Sequence, residues 1–412
     1  MSNKALLDRL KKRECRDSTM MVPNRPLVFY SAKGSVITDC EGNEYIDLCA
    51  GFGSLPLGHN HSSFTKIASD RTKSQPPITH GMGDVYPSIS KVEFLETFHR
   101  YIPQSLAKSI LSLSGSQAVE IAIKSAILAT KRSGFIALED AYHGVDMGAL
   151  PFTFRSDFKQ DFQDLLPNKN VVFIKPECSI REIKEAIHIL KSRNLDVAGC
   201  ICEPVQGRAG VRALSFEWLW ELRNTIQAEG GLFILDEIFT GMGRIGTWTS
   251  SHQLLPDLTL FGKAVGGGLP LSICSGTNEV MNSWPDNEEA IHTGTFFGHP
   301  LSCEVGKATI QEIENQGLVE RSRALGERAK GYLSRKIHQK NIASIKGKGL
   351  MLCIEFDHSP KGATLMHQLR EKNIIALASG PQGQSLTLSP ALNIDENLLF
   401  EGLDKVIDSI NN

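Results

Sequence analysis

An α/β fold with a mostly parallel central sheet flanked by helices is predicted for most of this 412-residue chain, and three observations predict it. After about residue 60, short apolar runs alternate with segments of helical period, the signature of strands joined by helical crossovers. The intervening segments carry helix signals of their own. The polar, glycine-rich motifs then fall at the carboxyl ends of the apolar runs, where sheets of this kind bind ligands.

Taken in order, the first segment combines Lys4, Arg9, Lys11, Lys12, Arg13 and Arg16 with Asp8, Glu14 and Asp17 around Leu6, Leu7 and Leu10. That interleaving reads as a short amphipathic helix rather than a targeting peptide, since no apolar core or cleavage pattern follows. Residues 27–30, 35–38 and 39–48 read as antiparallel strands with turns at Lys33-Gly34 and Glu41-Gly42-Asn43. Strands of the main sheet are expected at 109–113, 135–138, 171–174, 197–202, 232–235, 258–261 and 271–275. Between them, residues 116–131 set Val119, Ala122, Ile123 and Ala126 on one helical face, and Ser179-Ile-Arg-Glu182 is a capping box. Helices return at 303–316 and 321–339, followed by a mixed tail that includes a strand at 350–356. The expected division is an N-terminal segment, 1–60, that joins a small α+β domain formed by 305–412, and a large cofactor-binding domain, 61–304.

Composition narrows the function classes. At 41% hydrophobic residues the chain can bury a large core, and a formal charge of −2 offers no field for nucleic acid or anionic lipid. No apolar run approaches the roughly 20 residues needed to span a bilayer. Nine cysteines are scattered and odd in number, and Cys200 and Cys202 alternate on a strand instead of forming a C-x-x-C pair. This usage fits free thiols in a reducing, cytoplasmic compartment, with neither a disulfide framework nor a metal site.

The chemistry sits in five motifs. Asp236-Glu237 closes the run Gly-Leu-Phe-Ile-Leu, and Lys263 follows in Leu260-Phe-Gly-Lys-Ala-Val-Gly-Gly-Gly-Leu269. A lysine amine forms a Schiff base with an aldehyde, and a carboxylate keeps a ring nitrogen protonated; pyridoxal 5′-phosphate needs both. A solvated surface charge is the bland reading of a lone lysine, but Lys263 stands at a strand end beside Gly262. To act near pH 7 it must lose roughly 3 pKa units, about 4 kcal/mol. A carboxylate such as Asp236 at the end of an apolar strand needs a cationic partner, which a pyridinium nitrogen would provide. Ile238 could pack on the ring. Ser114-Gly115-Ser116 opens a helix and reads as an anion site or as a glycine turn capped by Ser116. Tyr142, in Ala141-Tyr-His-Gly144, could stack on a flat heteroaromatic ring or simply pack a loop. Glu203, in Glu203-Pro-Val-Gln-Gly207, faces the crevice or caps a turn. Gly241-Met-Gly-Arg-Ile-Gly246 matches the dinucleotide fingerprint, but neither an apolar-faced helix nor a suitably placed acid follows, so nicotinamide binding is not expected.

Together these residues resemble the class III aminotransferases, pyridoxal phosphate-dependent transferases of fold type I. The resemblance runs from about residue 26 to 392 and is most specific in Leu235-Asp-Glu-Ile-Phe-Thr-Gly-Met-Gly-Arg-Ile-Gly246 and Pro256-Asp-Leu-Thr-Leu-Phe-Gly-Lys-Ala-Val-Gly-Gly-Gly-Leu-Pro270. It implies that Lys263 carries the cofactor as an internal aldimine and moves the proton. It implies too that Asp236 pairs with the ring nitrogen, Ile238 and Tyr142 cover the two ring faces, and Gly115 and Ser116 hold the phosphate. Thr295, in His292-Thr-Gly-Thr-Phe-Phe-Gly-His-Pro300, resembles the threonine that reaches the neighbouring subunit's phosphate, which implies a homodimer with shared active sites. The implied reaction moves an amino group from an amine or amino acid donor to a carbonyl or 2-oxo acid acceptor. An isomerase on the same scaffold, an aminomutase or racemase, is the alternative.

Two residues depart from the family pattern. Thr387, in Ser385-Leu-Thr-Leu-Ser-Pro-Ala-Leu392, stands where many members have an arginine for the substrate carboxylate. Losing a charge-assisted bond costs about 1.5–3 kcal/mol, so a glutamate donor needs another cation here. Glu203, often the partner of that arginine, is then left without an obvious one. Phe239 stands where a polar residue often approaches the cofactor oxygen.

Overall fold

Chain punctuation by glycine shapes the amino-terminal part. In a computed structural model, which describes residues 2–16, 18–19, 27–71, 81–83, 85–286, 289–338, 342–358 and 360–411, a helix at Asn3–Lys11 precedes three antiparallel strands. These are β1 (Phe29–Lys33), β2 (Val36–Asp39) and β3 (Glu44–Asp47). Gly34 (φ 56°) and Gly42 (φ 89°) take the left-handed conformations that the two turns require.

The main sheet uses β4 (Lys108–Ser112), β5 (Gly134–Leu138), β6 (Val171–Ile174) and β7 (Val197–Cys202). A two-residue hairpin follows, β8 (Val205–Gln206) with β9 (Arg212–Ala213). The remaining main strands are β10 (Leu232–Asp236), β11 (Leu258–Phe261) and β12 (Ser272–Gly276). Their order is β4-β12-β11-β10-β7-β5-β6. All neighbours are parallel except that β12 runs against both β11 and β4. Strands β5 and β7 are buried along their whole length, as apolar strands covered on both faces must be. The helix Gly115–Thr130 lays Ala118, Val119, Ile121, Ala122 and Ala126 against the sheet. Its N-cap is Ser114, whose side chain accepts from the Gln117 N–H, so the alternative that capped the helix with Ser116 placed the boundary two residues late. The capping box at Ser179 and Glu182 is present as predicted.

Helices Pro300–Asn315 and Leu318–Lys336 lead into the carboxyl-terminal part; residue 339, where the second was expected to end, lies outside the described residues. Strands β13 (Ile342–Lys348), β14 (Met351–Phe356), β16 (Leu377–Ser379) and β17 (Ser385–Leu388) form one antiparallel sheet, in the order β13-β14-β17-β16. Strand β15 (Ile374–Ile375) instead pairs in parallel with β3, so the two ends of the chain share a sheet.

The segment 241–246 explains its own resemblance to a nucleotide fingerprint. It is a series of turns, and the next helix, Ser251–Leu254, is a single turn. Arg244 is buried there and donates to the carbonyls of Leu350 (2.9 Å) and Pro390 (2.5 Å), tying the turns to the carboxyl-terminal sheet. Glu237 is also buried and accepts from Ser250 N (2.8 Å), from Ser251 Oγ (3.2 Å) and from Thr249 Oγ1. The two adjacent acids therefore part company. Glu237 anchors a loop, which leaves Asp236 for the cleft.

Candidate active site

Five strand ends converge on one cavity of about 320 Å³, within the range that holds small ligands. Strand β4 delivers Gly115 and Ser116, β5 delivers Tyr142 and His143, β7 delivers Glu203, β10 delivers Asp236 and Ile238, and β11 delivers Lys263. Because these strands are parallel to one another, their carboxyl ends share an edge, and side chains far apart in sequence line one wall.

Lys263 adopts φ 45°, a left-handed conformation that costs a non-glycine residue about 1–2 kcal/mol. Its neighbourhood is cut to fit by glycines. A Cβ on Gly262 would come within 2.7 Å of Ser272 Oγ and 3.1 Å of Ile238, and one on Gly115 within 3.0 Å of Ile238. Ile238 thus packs closely against two positions that lack side chains. Burial pushes the Lys263 amine below its usual pKa, while Asp236 and Glu203 pull the other way and Arg208 adds to the depression. The direction is the one a lysine needs to work near neutral pH. The amine lies 4.7 Å from the centre of the Phe239 ring, the aromatic position that departs from the family pattern.

Asp236 is buried, and its partner within the chain is His143, whose Nδ1 lies 2.7 Å from Oδ2. The other carboxylate oxygen accepts from the Ile238 N–H at 3.0 Å. Sequence reasoning missed His143: the tyrosine beside it drew the reading, and its partner lies in another strand. The His143 ring fixes the carboxylate, and both groups line the cavity.

Glu203 answers the question of its missing arginine differently. One oxygen accepts from Tyr142 N and the other from Gly207 N, both at 3.1 Å, so it braces two loops of the cavity. Burial raises its pKa from 4.5 to about 7, Asp236 raising it further, while His143 and the two backbone N–H groups oppose the rise. A raised folded-state value means the folded protein keeps a proton that the unfolded chain releases. Its stabilising contribution is complete below the unfolded value of 4.5 and is lost as pH rises through about 7. Between about pH 5 and 8, cofactor-free wild type should lose about 2 kcal/mol relative to Glu203→Gln in denaturant melts. A pH-independent difference between the two proteins would contradict this assignment.

Of the residues singled out from sequence, Gly115, Ser116, Tyr142, Glu203, Asp236, Ile238 and Lys263 all line the cavity, as does Thr387. Thr295 does not; it is exposed and lies apart. Arg208 is a cavity residue that the sequence reading passed over, its guanidinium 5.4 Å from the Tyr142 ring centre. The set fits pyridoxal phosphate. It joins an amine of depressed pKa and a fixed carboxylate to the N-terminus of a 16-residue helix, which favours an anion. Space before Ser116 is kept open by Gly144, where a Cβ would lie 2.1 Å from Ser116 Oγ.

Comparison with known proteins agrees with this chemistry. Residues 19–410 match the family described as aminotransferase class-III. The chain is 31% identical to a [LysW]-aminoadipate semialdehyde transaminase of Deinococcus radiodurans, over 93% of this chain and 87% of that protein. It is 32% identical to a 5-aminovalerate aminotransferase of Pseudomonas aeruginosa, over 96% of each. In fold it is similar to an ornithine aminotransferase from Toxoplasma gondii with partial occupancy of pyridoxal phosphate at its active site. The TM-score is 0.86 at 23% identity, covering 100% of this chain and 94% of that one.

Proposed function

Because this chain belongs to the class III aminotransferase family, and is thereby a pyridoxal 5′-phosphate-dependent transferase of amino groups, we propose that the cavity at the strand ends is its active site and that Lys263 is the cofactor-linking residue. One observation carries the proposal. Asp236 ends β10 and Lys263 lies two residues past the end of β11, adjacent parallel strands in which Asp236 sits opposite Leu260, and both residues line the same cavity.

When bound, pyridoxal phosphate supplies the electron sink that makes the donor's reacting C–H bond acidic. The chain does the rest. Lys263 Nζ, its pKa depressed by burial, takes up and returns the proton that the reaction moves. Asp236, held by His143, supplies the carboxylate that would face the ring nitrogen. Gly115 and Ser116, at a helix N-terminus, would hold the phosphate, and Ile238 and Tyr142, which line the same cavity, would hold the ring. Phe52, Phe239 and Leu377 supply apolar wall that keeps out water.

The functional unit in this reading is a homodimer in which Thr295 serves the neighbouring site. Exposed apolar side chains support it: Tyr86, Ile89, Val92 and Phe296 all lie open to solvent in the single chain, where a partner subunit could cover them. The large central part, 61–304, holds the cofactor, and the two chain ends together form the smaller unit. A cytoplasmic location agrees with nine free cysteines, and no helix among the described residues is long and apolar enough to cross a membrane.

Borohydride reduction followed by peptide mapping tests the central claim: the peptide containing Lys263 should carry the reduced cofactor. Modification of another lysine would overturn it. Sedimentation of the purified protein should give a dimer, with Thr295→Ala weakening cofactor retention without dissociating it; a monomer with full activity would remove Thr295 from the site.

A further inference from the structure

Thr387 occupies the position where a substrate-binding arginine was expected, and the structure closes that position to charge. Its hydroxyl shares a 2.5 Å hydrogen bond with Ser379 Oγ, and Thr387 is buried. Strands β16 and β17 thus present the cavity with a neutral wall in which the two hydroxyls are engaged with each other.

A cation enters instead from the hairpin β8–β9. Arg208 lies in its turn, and the Arg208 carbonyl accepts from Gly380 N at 2.9 Å, which pins the turn to the end of β16 and so beside Ser379. The side chain is half-buried, lines the cavity and crosses the Tyr142 ring. Among the described residues, no carboxylate or other acceptor is hydrogen-bonded to its guanidinium. The acids near enough to feel its charge are committed elsewhere. Asp157 pairs with Arg155 Nε at 3.0 Å, and Glu203 uses one oxygen on each of two backbone N–H groups. A half-buried guanidinium with its donors free, beside a cofactor cavity, is built to receive an anion from outside the chain.

We propose that Arg208 binds the carboxylate of the amino donor and of the 2-oxo acid acceptor, replacing the cation absent at Thr387. The proposal rests on the active-site reading above and adds a substrate class to it: amino acids rather than simple amines. Two kinds of donor share this chemistry, one with the carboxylate on the reacting carbon and one with it at the far end of the chain.

The test measures single-turnover loss of the cofactor's visible band, without acceptor, for two matched pairs: L-alanine with ethylamine, and 5-aminopentanoate with pentylamine. In wild type the acid of at least one pair should react faster than its amine. Arg208→Gln should lower that acid-to-amine ratio about 30-fold, and Arg208→Lys, which keeps the charge but not the planar fork, should restore part of it. The affected pair tells which carboxylate is bound. Calorimetry with pentanoate, which cannot react, should show a matching rise in Kd. A structural role for Arg208 would slow acid and amine alike; an unchanged ratio, or a wild type that prefers both amines, overturns the proposal. If no donor of any pair reacts with wild type, the active-site reading itself fails.

Discussion

Lys263→Ala is expected to lose at least about 10⁴-fold in kcat/KM, together with the visible band of the bound cofactor, because in the proposed active site one side chain would supply both the covalent link and the mobile proton. The fold should survive, since among the described residues the Lys263 side chain makes no hydrogen bond that its loss would break, and its amine lies 4.7 Å from the Phe239 ring centre. Backbone strain offers an internal control. With φ at 45°, Lys263→Gly should be more stable than Lys263→Ala by about 1 kcal/mol, the reverse of their order in a helix. An alanine variant that keeps its band and turnover would remove Lys263 from the mechanism. A stable alanine variant that binds the cofactor only weakly would support it.

The second large effect is at Asp236. Asp236→Ala should reduce kcat by roughly 10²–10³-fold, the scale of losing a preorganised charge at a reacting group, while cofactor affinity falls less. It also leaves His143 Nδ1 buried without its carboxylate. Asp236→Asn keeps the shape and removes the charge, so it separates the two consequences. If charge is what matters, asparagine and alanine fall together in kcat, and asparagine alone retains near-native stability. Turnover within threefold of wild type in either variant would show that the carboxylate has no part in the chemistry.

How much of this was legible in the sequence depended on whether the signal was local. Strand runs such as Val197–Cys202 carry their burial in their own residues, so their limits were readable to within one residue. The antiparallel direction of β12 was not, because a buried strand looks the same read either way; only its pairing with β4 and β11 reveals it. Within the site, Lys263, Asp236 and Glu203 were visible because each is a polar residue ending an apolar run. His143 and Arg208 were hidden for opposite reasons. His143 sits beside a more conspicuous tyrosine and gains its meaning from Asp236, on another strand. Arg208 lies in a hairpin turn, where an arginine is ordinarily a solvated charge, and only the approach of β16 from the carboxyl-terminal sheet encloses it. Glu237 shows the converse. Its sequence position equals that of Asp236 in all but one residue, yet it faces Ser250 and Ser251 and serves only the loop.

The pairing of β3 with β15 sets a schedule for synthesis. On a ribosome adding about 5–20 residues per second, the amino-terminal strands emerge tens of seconds before Ile374 exists to pair with Ile46. Through that interval the β3 edge has its backbone groups open, a template for any other extended chain. The cleft is finished later still, since Leu377, Ser379 and Thr387 close it from residues made almost last. A prematurely terminated product would therefore hold an assembled sheet and Lys263 but lack one wall of the cavity, and its exposed strand edge would mark it for capture by chaperones.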